Sequence, residues 1–200
     1  MLGEVLQFLK DRVNDHLRTT GGWRPTDPEQ QAVVFPGSES VDAPDFKLEH
    51  VTLLVVNLEE DHTLRSADPN RRALADGTTQ HVKPPIIINV YVLFVARFKE
   101  YDQSMQHLSR ILEFFQSHRV FDHTSGPALD DGIEKLTLEL VTQSFLEQNN
   151  LWGLLRAAYH PSLLYRIRMI VVSDAQGIAA PGIIDTITIA QPVPAPSGVV

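Results

Sequence analysis

Apolar and polar positions along the 200-residue chain switch between a helical and a strand-like period, and the switches predict three helices and four to six strands. Val5, Leu6, Leu9, Val13 and Leu17 recur at helical spacing, with Lys10, Asp11 and Arg12 among the residues opposite, and Gly21-Gly22 ends that helix. Residues 32–35 allow one short strand inside a turn-rich stretch. Residues 46–60 read as a long strand whose apolar positions fall on both parities near 51–56, so both its faces are covered there. "IIINVYVLFVARF", residues 86–98, is β-branched, aromatic and almost continuously apolar, the pattern of a central strand.

Residues 100–118 place Met105, Leu108, Ile111, Leu112 and Phe115 on one helical stripe. In residues 133–141, Leu136, Leu138 and Leu140 alternate with Lys135, Thr137 and Glu139, which predicts a strand with one wet face. Ser144 and Glu147 form a capping box that starts a helix over 144–159, with Trp152 and Leu155 packing on the sheet and His160-Pro161 as its stop. A strand over 165–172 follows, then a last candidate at 182–190. Between the strands lies a polar loop over 61–85, longer than connections in compact domains. One domain over 1–189 with a proline-rich arm over 190–200 is the expected organisation. The fold class is α+β: a mixed, largely antiparallel sheet covered by about three helices.

Composition narrows the function. With no cysteine, disulfides, thiolate metal sites and a cysteine nucleophile are excluded. A formal net charge of -8 argues against duplex nucleic acid as a partner. The N-terminus has no apolar leader core, and the longest apolar run, residues 86–96, is too short for a membrane helix. A soluble chain that is not Sec-exported and needs no membrane is expected.

Candidate chemistry is sparse. None of the eight histidines forms a compact ligand pair, and the hydrolase, P-loop and dinucleotide glycine signatures are missing. The expectation is no metal, no cofactor and no catalytic residue. Glu59-Glu60-Asp61 and Asp130-Asp131 are carboxylate groupings that suit general acid–base work when buried, and solvated connections otherwise. Tyr159, His160 and Ser162 contain the side chains of a nucleophilic site, but Pro161 holds His160 extended, where neighbouring side chains point apart. Arg166 and Arg168 share one strand parity, facing solvent or a carboxylate of a partner or neighbouring strand.

Four blocks taken together carry a resemblance: Pro84-Pro85 followed by Asn89-x-Tyr91-x-Leu93-Phe94, Phe114-Phe115-Gln116, Leu151-Trp152-Gly153, and Tyr159-x-Pro161-Ser162-x-x-Tyr165-x-x-Arg168. In that order and spacing they resemble the N-terminal domain of tail-termination, or cap, proteins of extracellular contractile injection systems of the antifeeding-prophage and virulence-cassette type. One departure is Leu155-Arg156, at a place where glycine is common in the family.

The resemblance implies a tail-terminator-like fold and a structural role without catalysis. Such a protein forms a homo-oligomer, a hexameric ring, on the distal end of a phage-tail-like particle, ends polymerisation, and joins sheath protein to inner tube protein. It would be assembled in the cytoplasm within a particle that is released. Arg65, Arg71 and Arg72 in the loop 61–85, Arg166 and Arg168, and Ile187 and Ile189 in the segment 183–200 are the interface candidates. The rival readings are an adaptor that binds one partner without a closed ring, and a small hydrolase using a carboxylate pair.

Overall fold

The computed structural model describes residues 1–21, 30–37, 43–62, 71–73, 79–81, 86–124, 129 and 132–171. The chain order is α1 (Leu2–Thr19), β1 (Val33–Val34), β2 (His50–Glu60), β3 (Arg71–Ala73), β4 (Thr79–His81), β5 (Ile86–Arg97), α2 (Tyr101–Ser117), β6 (Val120–Asp122), β7 (Ile133–Leu140), α3 (Phe145–Leu155) and β8 (Ser162–Val171). Among the described residues six strands form one sheet in the order β1-β2-β5-β8-β7-β6. Only β1 runs parallel to its neighbour; the other pairings are antiparallel, giving the mixed, largely antiparallel sheet expected.

The sheet has two unequal faces because strand side chains alternate. On the first, Val90, Val92, Phe94 and Ala96 of β5 and Tyr165, Ile167 and Met169 of β8 meet α1 and α2 in the main core. The helices supply Val5, Phe8, Leu9, Val13 and Leu17, then Leu108, Ile111, Phe114 and Phe115. On the second face, Leu54, Leu93, Val95 and Leu164 pack with Phe46 beneath Trp152 of α3, and Leu155 joins them. Among the described residues that cluster covers only one end of the face. α1 ends at Thr20 and Gly21, whose φ of 69° suits glycine, and Arg110 of α2 donates to the Thr20 carbonyl at 2.8 Å.

Several boundaries differ from expectation. The long loop over 61–85 contains a two-stranded antiparallel ribbon, β3 with β4, whose three-residue strands carry no apolar alternation to reveal them. β6 was hidden for the same reason of length. Met105 is 42% exposed, because the buried arc of α2 runs through Ser104, His107, Leu108, Ile111, Phe114 and Phe115 and leaves Met105 on its flank. Leu140 is 48% exposed, since α2 does not reach that end of β7. The strand expected over 182–190 and the arm over 190–200 lie outside the described residues.

α3 begins as expected: the Ser144 hydroxyl accepts from the Glu147 amide, and the Ser144 amide donates to Glu147 Oε2 at 2.7 Å. It stops at Leu155, four residues before Tyr159. Arg156 adopts left-handed φ 52°, ψ 35°, with Arg156 N–H donating to Gly153 O at 3.2 Å and Ala157 N–H to Trp152 O at 3.4 Å. This is a Schellman ending, normally built on glycine. His160-Pro161 therefore leads directly into β8 and does not stop the helix. Arg156→Gly is expected to raise stability by about 1 kcal/mol by removing the left-handed penalty of a Cβ-bearing residue. Urea midpoints should rise for Arg156→Gly and stay near wild type for Arg156→Ala; equal midpoints for the two variants would contradict the strain.

Candidate assembly surfaces

The other end of the second sheet face carries a polar ladder. Strand register aligns Asn57, Tyr91, Arg166 and Glu139 in one row, and Glu59, Asn89, Arg168 and Thr137 in the next. Asn57 Nδ2 donates to Glu59 Oε1 at 3.0 Å, and the Tyr91 hydroxyl donates to Glu59 Oε2 at 3.0 Å. Arg166 forms an ion pair with Glu139 of β7, and hydrogen bonding to that carboxylate holds its guanidinium pKa above the usual arginine value. Arg168 Nε lies 3.3 Å from Asp61 Oδ2, just past β2. The geometry is too poor for a hydrogen bond from that nitrogen, so charge alone carries the pairing.

Both candidate arginines thus find a neighbouring carboxylate, one of the alternatives the sequence left open. Their partners Tyr91, Glu59, Glu139 and Asp61 were not foreseen as part of one surface. The signal was present: each of four strands carries two polar residues spaced by two on the same parity, amid apolar neighbours. Arg71 and Arg72 stand in β3, paired across the ribbon with His81 and Gln80. Arg65, Ile187 and Ile189 lie outside the described residues.

The residues of the hydrolase reading do not come together. Glu59 and Glu60 pair with Asn89 and Ile88, whereas Pro161, next to His160, bonds to Ala96. Along β5 the two ends are about 23 Å apart at the usual strand rise. Asp130-Asp131 lies outside the described residues. His160 instead packs against Phe46 and Trp152, with ring centroids 6.0 and 6.1 Å away, and burial together with nearby Arg97 lowers its pKa. Tyr159 stacks edge-on at 5.6 Å against Trp152. The Tyr-His-Pro-Ser stretch is an aromatic clasp for Trp152. Among the described residues no three histidine or carboxylate side chains gather as a metal ligand set, and no helix is long and apolar enough to cross a membrane.

Two further surfaces stand out. α3 is apolar on its outward side as well: Phe145 is 92%, Leu146 70% and Leu154 73% exposed, beside a groove of about 620 Å³. On the first sheet face, a cleft of about 260 Å³ separates the end of α2 from the end of β7, lined by Leu112, Phe115, Arg119, Leu140 and Tyr165. Tyr165 is 2% exposed, its hydroxyl has no hydrogen-bond partner among the described residues, and burial pushes its pKa up to about 12.

Residues 4–185 match the Pvc16 N-terminal domain. In three dimensions the chain is similar to the sheath/tube terminator of an extracellular contractile injection system, PVC, solved by cryo-EM in the extended state. The TM-score is 0.55 at 19% identity, over 94% of this chain and 64% of that one. It is also similar to the tube-terminating cap of the anti-feeding prophage, with a TM-score of 0.55 at 16% identity, over 90% of this chain and 59% of that one. The chain spans less than two thirds of the length of either. No curated protein matches it.

Proposed function

The chain belongs to the Pvc16 N-terminal domain family, and from that premise we propose that it is a non-enzymatic cap of a contractile injection particle. It forms a ring of identical copies, a hexamer, on the distal end of the particle. There it ends growth of tube and sheath and joins the last sheath layer to the inner tube. Assembly takes place in the cytoplasm, and the cap leaves the cell as part of the particle. The observation that carries this reading is the fold: nearly the whole chain takes the arrangement of two proteins that terminate tubes. The ladder built on Arg166 and Arg168 supports it, as a partly exposed charged surface tied together by ion pairs.

Particles produced with and without this chain test the proposal. Loss of the chain is expected to give sheath and tube of uncontrolled length, or unstable particles, in electron micrographs of the distal end. Unchanged lengths with closed ends would refute it. A chain truncated before residue 190 that still closes the particle at normal length removes the proline-rich arm from the contact. An adaptor without a ring is favoured by one observation, the exposed apolar side of α3. Such an adaptor would leave particle length unaltered on deletion.

A further inference from the structure

We propose that the groove along α3 holds the proline-rich segment 191–196 of the same copy of the chain, laid as polyproline II backbone against Phe145, Trp152 and Tyr159. This docking is independent of the cap reading. The groove follows the whole helix: Phe145, Gln148, Asn149, Trp152, Gly153 and Arg156 line it and recur every three or four residues. Trp152 is almost buried where it lines the groove, whereas Phe145 and Tyr159, 92% and 60% exposed, stand out from it. Leu146, 70% exposed, widens that apolar side by its helical spacing to Asn149 and Gly153. Glycine is a poor helix former, yet Gly153 sits inside α3 in the middle of this stripe. A Cβ there would meet no atom within 4 Å among the described residues. The bare helix backbone at Gly153 leaves room for the backbone of another segment to approach closely.

The occupant is named by its chemistry. Pro192, Pro194 and Pro196 alternate with Gln191, Val193 and Ala195. Each proline fixes its own φ and pushes the residue ahead of it out of the helical region, so the sequence favours polyproline II backbone over 191–196. Such segments dock on aromatic-lined grooves at little ordering cost, and their carbonyls remain open to donors. Asn149 and Arg156, both exposed along the groove, carry donors of the matching kind. The lengths agree as well. Six residues of polyproline II cover about 19 Å, and the 11-residue helix covers about 16 Å. The groove of about 620 Å³ has the volume of about twenty waters. No acidic or basic side chain lies between Thr186 and Val200, so seating the segment buries no side-chain charge.

The segment can reach the groove within one copy. β8 starts beside α3, where Leu164 packs with Trp152, and carries the chain about 30 Å away to Val171. Residues 172–190, outside the described residues, can span at most about 65 Å, about twice the return distance. A flexible tether of this kind supplies an effective concentration of about 1 mM, so a contact with a Kd of about 0.1 mM is about nine-tenths filled. A separate molecule would have to bind far more tightly to compete at ordinary concentrations. Docking in this way also covers part of an apolar helix side that would otherwise face water.

Fluorescence anisotropy of a labelled peptide of residues 189–198, titrated with the full chain, tests the docking. The host protein carries Pro192→Ser, Pro194→Ser and Pro196→Ser together, so that its own segment no longer competes. The peptide is expected to bind this host saturably, and to bind the wild-type chain about tenfold more weakly because its groove is already filled. In the host, Gly153→Lys and Phe145→Ser should each weaken binding roughly tenfold or more, with far-UV circular dichroism verifying the fold of each variant. A peptide with serine at the three prolines should lose at least as much. Absence of saturable binding to the host overturns the docking. Equal binding to host and wild type also overturns it, since the groove of the wild type would then be empty. Binding that ignores both Gly153→Lys and Phe145→Ser places the peptide elsewhere and overturns the site. Competition by the wild type that grows with its own concentration assigns the segment to a second copy and overturns docking within one.

Discussion

Replacing Phe94 with alanine is expected to lower the free energy of unfolding by about 3–5 kcal/mol. Phe94 is fully buried in β5, at the centre of the first sheet face. Its ring lies 5.7 Å from that of Phe115 in α2 and 6.0 Å, at 90°, from that of Tyr165 in β8. The substitution removes transferred apolar area, leaves a cavity under α2, and cancels two aromatic contacts worth about 0.5–1.5 kcal/mol each. The rings beside the void sit on a helix and a paired strand, so they cannot collapse inward without moving backbone. Denaturant titration should show a lower midpoint with an unchanged slope, and Phe94→Leu should fall well short of the full loss. A midpoint for Phe94→Ala within about 1 kcal/mol of wild type would mean that α2 does not rest on this ring.

Long elements with a single apolar period were legible in the sequence. α1, α2 and β7 each present a stripe or an alternation that tertiary packing merely completes, and β5 an almost continuous apolar run that fits a strand covered on both faces. The start of α3 was legible because a capping box is a local hydrogen-bond pattern. Its end was not. Arg156 occupies a conformation that sequence reasoning assigns to glycine, so the later His160-Pro161 looked like the natural stop. β3, β4 and β6 escaped because three residues cannot display a period. The fate of Arg166 and Arg168 was legible only as a choice, for parity says which side chains share a face but not which strand lies alongside. Once β8 is set between β5 and β7, Glu139 falls opposite Arg166 and the choice is resolved.

The same limit hid the assembly surfaces. Leu58, Arg119 and Leu140 look ordinary in the sequence, because an exposed leucine is common on any protein surface. They acquire meaning from the sheet order, which sends Leu58 to the β2 side of the sheet and Arg119 and Leu140 to the β7 side. No local motif encodes that arrangement.

Asn14→Ala should destabilise the protein by about 2–5 kcal/mol, from a residue on a helix that the apolar pattern passes over. Asn14 is 3% exposed, and its amide grips both backbone groups of Val33: Nδ2 donates to Val33 O at 3.0 Å, and Oδ1 accepts from Val33 N–H at 2.9 Å. The side chain thereby acts as one peptide of a missing strand beyond β1. Alanine leaves a buried donor and a buried acceptor unpaired, each costing about 1–3 kcal/mol. Asp15→Ala, at the exposed neighbouring position, should stay within about 0.5 kcal/mol of wild type. Hydrogen exchange gives a local readout: the Val33 amide should lose protection in Asn14→Ala while the β5–β8 ladder keeps it. Loss of protection spread equally over both would place the fault in global stability. Release of β1 would also remove its pairing with β2 at Val51 and Thr52, so the variant should aggregate more readily than its stability alone explains.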